Sequence, residues 1–133
     1  MKKTIVIVQG VIENNGKYLV MKRTEGQKYS SGKWEFPAGK PKDRETMEDA
    51  LVREIIEETG IVVEPTKKIL HEMKLEEHDI IVVSYLCKSA GHDVTMSHEH
   101  TDLAWSDLEG IKKMDISNIT IGTIEIMEGS NAA

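Results

Sequence analysis

The chain has 133 residues, of which 39% are hydrophobic and 30% charged, and a formal net charge of −6. That length holds one domain with a sizeable core and no second one, so residues 1–133 read as a single unit. The acid excess argues against coating a nucleic-acid polymer, which depends on neutralising phosphates, but it leaves room for a small phosphorylated ligand, because a bound cation inverts the local field.

The N-terminus, MKKTIVIV, imitates a secretion signal. Gln9, Gly10 and Glu13 interrupt its apolar run and no small-residue cleavage pattern follows, so a buried strand over 4–12 is expected instead. No stretch approaches the roughly 20 apolar residues of a membrane span, and a cytoplasmic location is the expectation. Asn14-Asn15-Gly16 supplies residues tolerant of positive φ before KYLVMKR, which predicts a hairpin. Residues 24–33 are polar and glycine-bearing, a loop. WEFPAGK is a short extended piece, with Pro37 holding Phe36 out of the helical region.

A helix is predicted over 46–59: its interior lacks glycine and proline, acids stand near its start, and Gly60 follows it. Ile61–Val63 begins a strand that Pro65 ends or bends. Residues 67–76 and 79–88 form two strands around a tight turn near His78, and the apolar run IIVVSYL places the second of them centrally in its sheet. Cys87, the only cysteine, lies in that run as a buried structural thiol, and excludes a disulfide or a cysteine-built zinc site within one chain. Residues 90–101 are a loop, LAWSDL is extended and enters a turn, and 115–127 form a second helix weakened by its β-branched residues. The order is mixed α+β around one sheet system, without regular βαβ alternation.

The most informative segment is GKPKDRETMEDALVREIIEETGI, Gly39 to Ile61. On its helix, Glu54, Glu57 and Glu58 fall at i, i+3 and i+4 and share a face, with Leu51, Val52, Ile55 and Ile56 mostly on the other side. Like charges at this spacing cost a few tenths of a kcal/mol per pair, roughly. Arg53 and nearby lysines could offset that on a plain solvated face. A divalent cation offsets it better, since clustered hard oxygen ligands suit Mg²⁺. Helical periodicity leaves both accounts open.

The spacing of the whole segment is more specific. Gly39, Glu45, then Arg53-Glu54-Ile55-Ile56-Glu57-Glu58-Thr59-Gly60-Ile61 resembles the Nudix box (39–61) at every defining position. WEFPAGK before it is similar to the lead-in of MutT-type Nudix hydrolases, with Ala38 where a glycine is common. The resemblance implies an α/β/α sandwich with a mixed β-sheet and a catalytic loop–helix–loop. It implies hydrolysis of a nucleoside diphosphate linked to a further group. By position, Glu54, Glu57 and Glu58 would face Mg²⁺ (Mn²⁺ as a substitute), the Ala38 carbonyl would add a ligand, Arg53 would hold the carboxylates, and Glu45 would orient the loop. Gly39 and Gly60 would serve backbone geometry at the two ends.

The likeness continues outside the box. Glu99, six residues before Trp105, is a candidate additional ligand or base. Glu54 is the preferred base, because a rigid helix holds such geometry better than a loop. His98 and His100 have HxH spacing, but two nitrogens without a third make a weak metal site. Arg23 and Lys40 are candidate phosphate partners. Phe36 and Trp34 line either a base pocket or the core, and Asn118 resembles a base-reading asparagine. The positions 15–18 residues past the box hold no proline or tyrosine, which weighs toward a (deoxy)nucleoside triphosphate cleaved to monophosphate and pyrophosphate. An ADP-ribose or nucleotide-sugar pyrophosphatase and a silent nucleotide sensor are the alternatives, with the chain as monomer or homodimer.

Overall fold

The computed structural model describes residues 2–27, 30–89, 91 and 93–132. Strand β1 (Lys3–Asn14) turns at Asn15 (φ 52°) and Gly16 (φ 79°) into β2 (Lys17–Arg23), the hairpin that the Asn-Asn-Gly run predicts. The short strands β3 (Trp34–Glu35) and β4 (Ala38–Gly39) follow and pair antiparallel with β2 and β1. Next come helix α1 (Met47–Thr59), β5 (Val63–Lys74), β6 (His78–Ser89), β7 (His100–Ser106), α2 (Leu108–Lys112) and α3 (Asn118–Ala132). The sheet runs β3-β2-β1-β6-β5, with β7 also on β2. It is mixed: β1 and β6 are parallel from Lys3↔His78 to Glu13↔Lys88, and β5 and β6 antiparallel.

Helices cover both faces of this sheet, so its middle strands bury side chains on both sides. Ala50, Leu51 and Ile55 of α1 pack on Val8, Ile12, Leu19, Met21, Val83 and Tyr85. On the other face Ile111 of α2 and Ile124 and Met127 of α3 pack on Val11, Val20 and Phe36. The architecture is the expected α/β/α arrangement, and β6 lies between β1 and β5. Cys87 is 3% exposed and burial pushes its thiol up to about 12, which makes it an inert core residue. Among the described residues no helix is long and apolar enough to cross a membrane.

Four expectations need correction. The separate strands at 61–63 and 67–76 are one strand, β5, whose ladder slips between Pro65 and Lys67 because proline has no N–H to give. The second helix begins at Asn118 rather than 115, since Ser117 Oγ accepts from Thr120 N at 3.2 Å and starts it, and it runs to Ala132. The turn after LAWS is a short helix, α2, capped by Asp107, whose Oδ1 accepts from Gly110 N at 2.9 Å. Finally, Ile56 is 45% exposed and Val52 half-buried, so the apolar stripe of α1 is narrower than its composition suggests.

Candidate active site

Helix α1 is the most firmly specified element and carries the site. Thr46 Oγ1 accepts from Asp49 N at 3.1 Å, Glu48 and Asp49 complement the helix N-terminus, and Gly60 closes the far end in the left-handed conformation. With Leu51 and Ile55 fixed in the core, the neighbouring face turns Glu54 and Glu58 toward Ala38–Lys40 and the end of β2. A Cβ at Gly39 would overlap the Glu54 carboxylate, so a larger residue there would push that side chain from its place. The loop before β7 is tied to the same helix by Thr95 N→Thr59 O (2.8 Å) and Ser97 N→Glu58 O (3.2 Å), and Thr24 N donates to Glu99 O at 2.9 Å. Those bonds bring Glu99 to the rim.

Arg53 is the hub. Its Nε and Nη2 reach the two oxygens of Glu45 at 2.7 and 2.8 Å, a bidentate pair, while Nη1 donates to Glu54 Oε1 at 2.9 Å and to Glu57 Oε2 at 3.3 Å. Nη2 also donates to the Lys40 carbonyl at 3.2 Å, and Lys42 N donates to Glu45 Oε1 at 2.7 Å. The Arg53 hydrogen bonds, with the Lys42 amide, hold the Glu45 carboxyl down at about 2, and Glu45 in turn raises the Arg53 guanidinium above its usual range. Arg53 therefore braces loop and carboxylates together. Arg53→Lys keeps the charge but loses the fork, so metal titration should show apparent affinity or activity reduced about 10- to 100-fold, as for other supporting groups. Wild-type metal affinity in that variant would refute the bracing role.

The carboxylates border a cleft of about 330 Å³ lined by Arg23, Glu35, Ala38, Gly39, Lys40, Glu54, Glu58 and Glu99. Glu58 is 5% exposed; burial above all, then the charges of Glu35, Glu54 and Glu99, push its carboxyl up to about 9. Its Oε2 is buried with no hydrogen-bond partner. Burial also raises Glu54, against the opposing pull of Arg53. Glu57 differs: its side chain is 53% exposed, turned to Arg53, and outside the cleft lining.

Among the described residues no three His, Cys, Asp or Glu side chains are gathered at metal-binding spacing. Of the expected ligand set, Glu54, Glu58, Glu99 and Ala38 reach one cleft, and Glu57 does not. The donor chemistry nonetheless fits a hard divalent cation. A buried carboxyl among other carboxylates, with one oxygen unpartnered, holds either a proton or a cation, and clustered hard oxygen donors suit a divalent one.

Several other expectations are resolved here. Phe36 has no exposed surface and belongs to the core with Trp34 against it, so it cannot line a base pocket. The HxH pair is split: His98 is exposed, while His100 is buried with Nδ1 at 3.0 Å from Ser97 Oγ and Nε2 3.6 Å from Glu35. Arg23 and Lys40 line the cleft, with Arg23 Nη1 at 3.4 Å from Glu35. Asn118 lies outside the cleft, on an adjoining pocket of about 380 Å³ with Ile5, Ile7, Met73, Ile80 and Ile119. The sequence reading passed over Ile7, Gln9, Ser30, Glu35 and Ile119 of the cleft lining. Glu35 had a signal: if Trp34 and Phe36 face the core, the residue between them faces the opposite side.

A mixed α/β/α sandwich presenting a braced acidic helix beside a cleft defines a class of phosphoanhydride hydrolases, and family comparison agrees. The chain belongs to the Nudix family: the NUDIX domain model matches residues 1–122. It is a Nudix hydrolase, similar to the nucleoside triphosphatase NudI of Enterobacter sp. (strain 638), with 33% identity over 86% of this chain and 89% of that one. It is also 30% identical to the CTP pyrophosphohydrolase of Escherichia coli K12, over 98% and 96% of the two chains. Among solved structures it resembles the MutT protein of Methanosarcina mazei Go1, at a TM-score of 0.88 and 29% identity, covering 99% and 98%.

Proposed function

We propose that the protein hydrolyses a nucleoside triphosphate, ribo or deoxy, to the monophosphate and pyrophosphate with Mg²⁺ as its cation and Mn²⁺ as a working substitute. One observation carries this: the acidic cleft continues into the apolar pocket, the two sharing Ile7, Ser30, Lys40 and Ile119. A ligand spanning both has a charged end and a flat, mostly apolar end, as a nucleotide does. The relatives named as nucleoside triphosphatase and CTP pyrophosphohydrolase support the same substrate class.

Glu58 and Glu99, with the Ala38 carbonyl, would hold the cation, Glu54 would flank it as the base, and Glu57 would join on leaving Arg53. When bound, the cation draws charge from the phosphoryl oxygens and lowers the pKa of water. Glu54 takes the proton of the attacking water, aided by the burial that makes it a stronger base than an exposed carboxylate. Arg53 and Glu45 keep Glu54 aligned. Arg23 and Lys40 meet phosphoryl oxygens, and Asn118 meets the base.

A panel of triphosphates, ADP-ribose and dinucleoside polyphosphates with Mg²⁺, resolved by chromatography, tests this. The expected result is pyrophosphate and a monophosphate from at least one triphosphate. Orthophosphate plus a diphosphate would mean a different reaction, faster ADP-ribose cleavage a nucleotide-sugar enzyme, and no turnover at all a sensor.

A further inference from the structure

Gln9 is 1% exposed, and its amide nitrogen Nε2 is buried with no hydrogen-bond partner. Its carbonyl end is fully engaged. Ser84 Oγ donates to Gln9 Oε1 at 2.9 Å from the neighbouring strand β6, and Thr123 Oγ1 donates at 2.6 Å from α3. Ser84 and Thr123 are themselves wholly buried. The Thr123 hydroxyl also lies 3.1 Å from the Ile119 carbonyl and 3.0 Å from His71 Nε2, and its shortest contact, 2.6 Å, is the one to Gln9. Hydroxyl partners can serve either end of the amide, so the cleft decides: reversing the amide would aim its carbonyl at a ring of carboxylates, which favours the nitrogen on that side.

Position fixes what the free nitrogen can meet. Residues 5, 7, 9 and 11 share one face of β1. Ile5 and Ile7 line the apolar pocket, Ile7 and Gln9 line the acidic cleft, and Val11 belongs to the core. Gln9 therefore stands at the inner end of the cleft, just past the residue common to both compartments. A buried donor left unmatched costs free energy, and a ligand that supplies an acceptor recovers it.

We propose that Gln9 is a substrate-binding residue whose Nε2 donates to an oxygen at the sugar–α-phosphate junction of the nucleotide, with Ser84 and Thr123 as the positioning residues that hold it donor-outward. This rests on the nucleotide-hydrolase function proposed above. The acceptor has two sources, the sugar 2′-hydroxyl oxygen or an α-phosphoryl oxygen, and paired ribo and deoxy substrates separate them.

Gln9→Met should raise KM about five- to tenfold, the scale of one uncharged hydrogen bond, with kcat within about twofold. A 2′-oxygen acceptor confines the increase to the ribonucleotide; an α-phosphoryl oxygen gives it with both. Thr123→Val should raise KM by a smaller factor and add nothing further in the Gln9→Met background, because the two act through one contact. If the substitutions impair folding, the parent protein still answers: the Gln9 side-chain amide resonance should shift on titration with a triphosphate bridged by methylene between α and β phosphorus. No resonance shift, or an unchanged KM in a folded Gln9→Met variant, would overturn the proposal and leave Gln9 as an internal strut. Absence of turnover by the parent protein on every nucleotide would instead overturn the proposed function itself.

Discussion

Glu58→Gln lowers kcat by about two orders of magnitude or more, the scale of losing one preorganised electrostatic group, while leaving the metal-free protein at least as stable near neutral pH. Both effects follow from a carboxyl that burial and three acidic neighbours push up to about 9. At neutral pH without metal it is protonated, and a glutamine copies that neutral acid in size. An unfolded glutamate titrates near 4.3, roughly, so the folded chain binds one proton more across the window between. The stability from that proton is fully present below the unfolded value and is lost as pH rises through about 9, at up to ~1.4 kcal/mol per pH unit. Melting curves in chelator from pH 5 to 9 should therefore fall more steeply for the parent than for Glu58→Gln. The cation works in the opposite sense: it needs the carboxylate, so its binding releases a proton and tightens with pH over the same window. Equal pH slopes for the two proteins would show that Glu58 is not the group responsible.

The box was legible because its chemistry is local. Helix α1 was recognisable from its glycine- and proline-free interior, its early acids and Gly60, and the brace of Glu45, Arg53 and Glu54 was implied by the likeness to the Nudix box, whose contacts span less than three helical turns or one loop. The hairpin and the central position of β6 were legible for similar reasons, one from an Asn-Gly turn and the other from an unbroken apolar run. What escaped depends on partners distant in sequence. Gln9 meets Ser84 and Thr123 across separations of 75 and 114 residues, and nothing near Gln9 in the chain announces them. Phe36 was left between pocket and core because strand alternation gives a face without saying what covers it; α2 and α3 cover it. Glu57 shows a different limit. Its helical spacing puts it beside Glu54 and Glu58, yet its side chain lies against Arg53 at 3.3 Å and outside the cleft. Periodicity places a carboxylate on a face and leaves its rotamer to the charges around it.

Glu54→Gln is expected to lower kcat by about two orders of magnitude or more, as loss of a general base does, and Glu99→Gln to cost less and act mainly on apparent metal affinity. The two carboxylates line the same cleft but are held differently. Glu54 stands on a capped helix, accepts from Arg53 Nη1 at 2.9 Å, and packs so closely on Gly39 that no side chain fits between them. Its environment raises its basicity without removing it from the cleft, since its side chain keeps 17% exposure. Glu99 is exposed, in a loop fixed by backbone hydrogen bonds to Thr24, Glu58 and Thr59, so its main chain is placed while its carboxylate keeps rotamer freedom. Ordering a free side chain costs about 1–2 kcal/mol, a burden a ligand carries once on metal binding but a base would carry in its proton-transfer geometry at each turnover. Metal titrations at saturating nucleotide separate the roles: Glu99→Gln should regain most of its kcat at high Mg²⁺, and Glu54→Gln should stay low at every concentration. A pH profile adds an independent check, because removing the base should erase the acidic limb of kcat, whereas removing a ligand should leave it in place. If Glu99→Gln loses more kcat than Glu54→Gln and metal does not restore it, the two roles are exchanged, and the loop before β7 supplies the base.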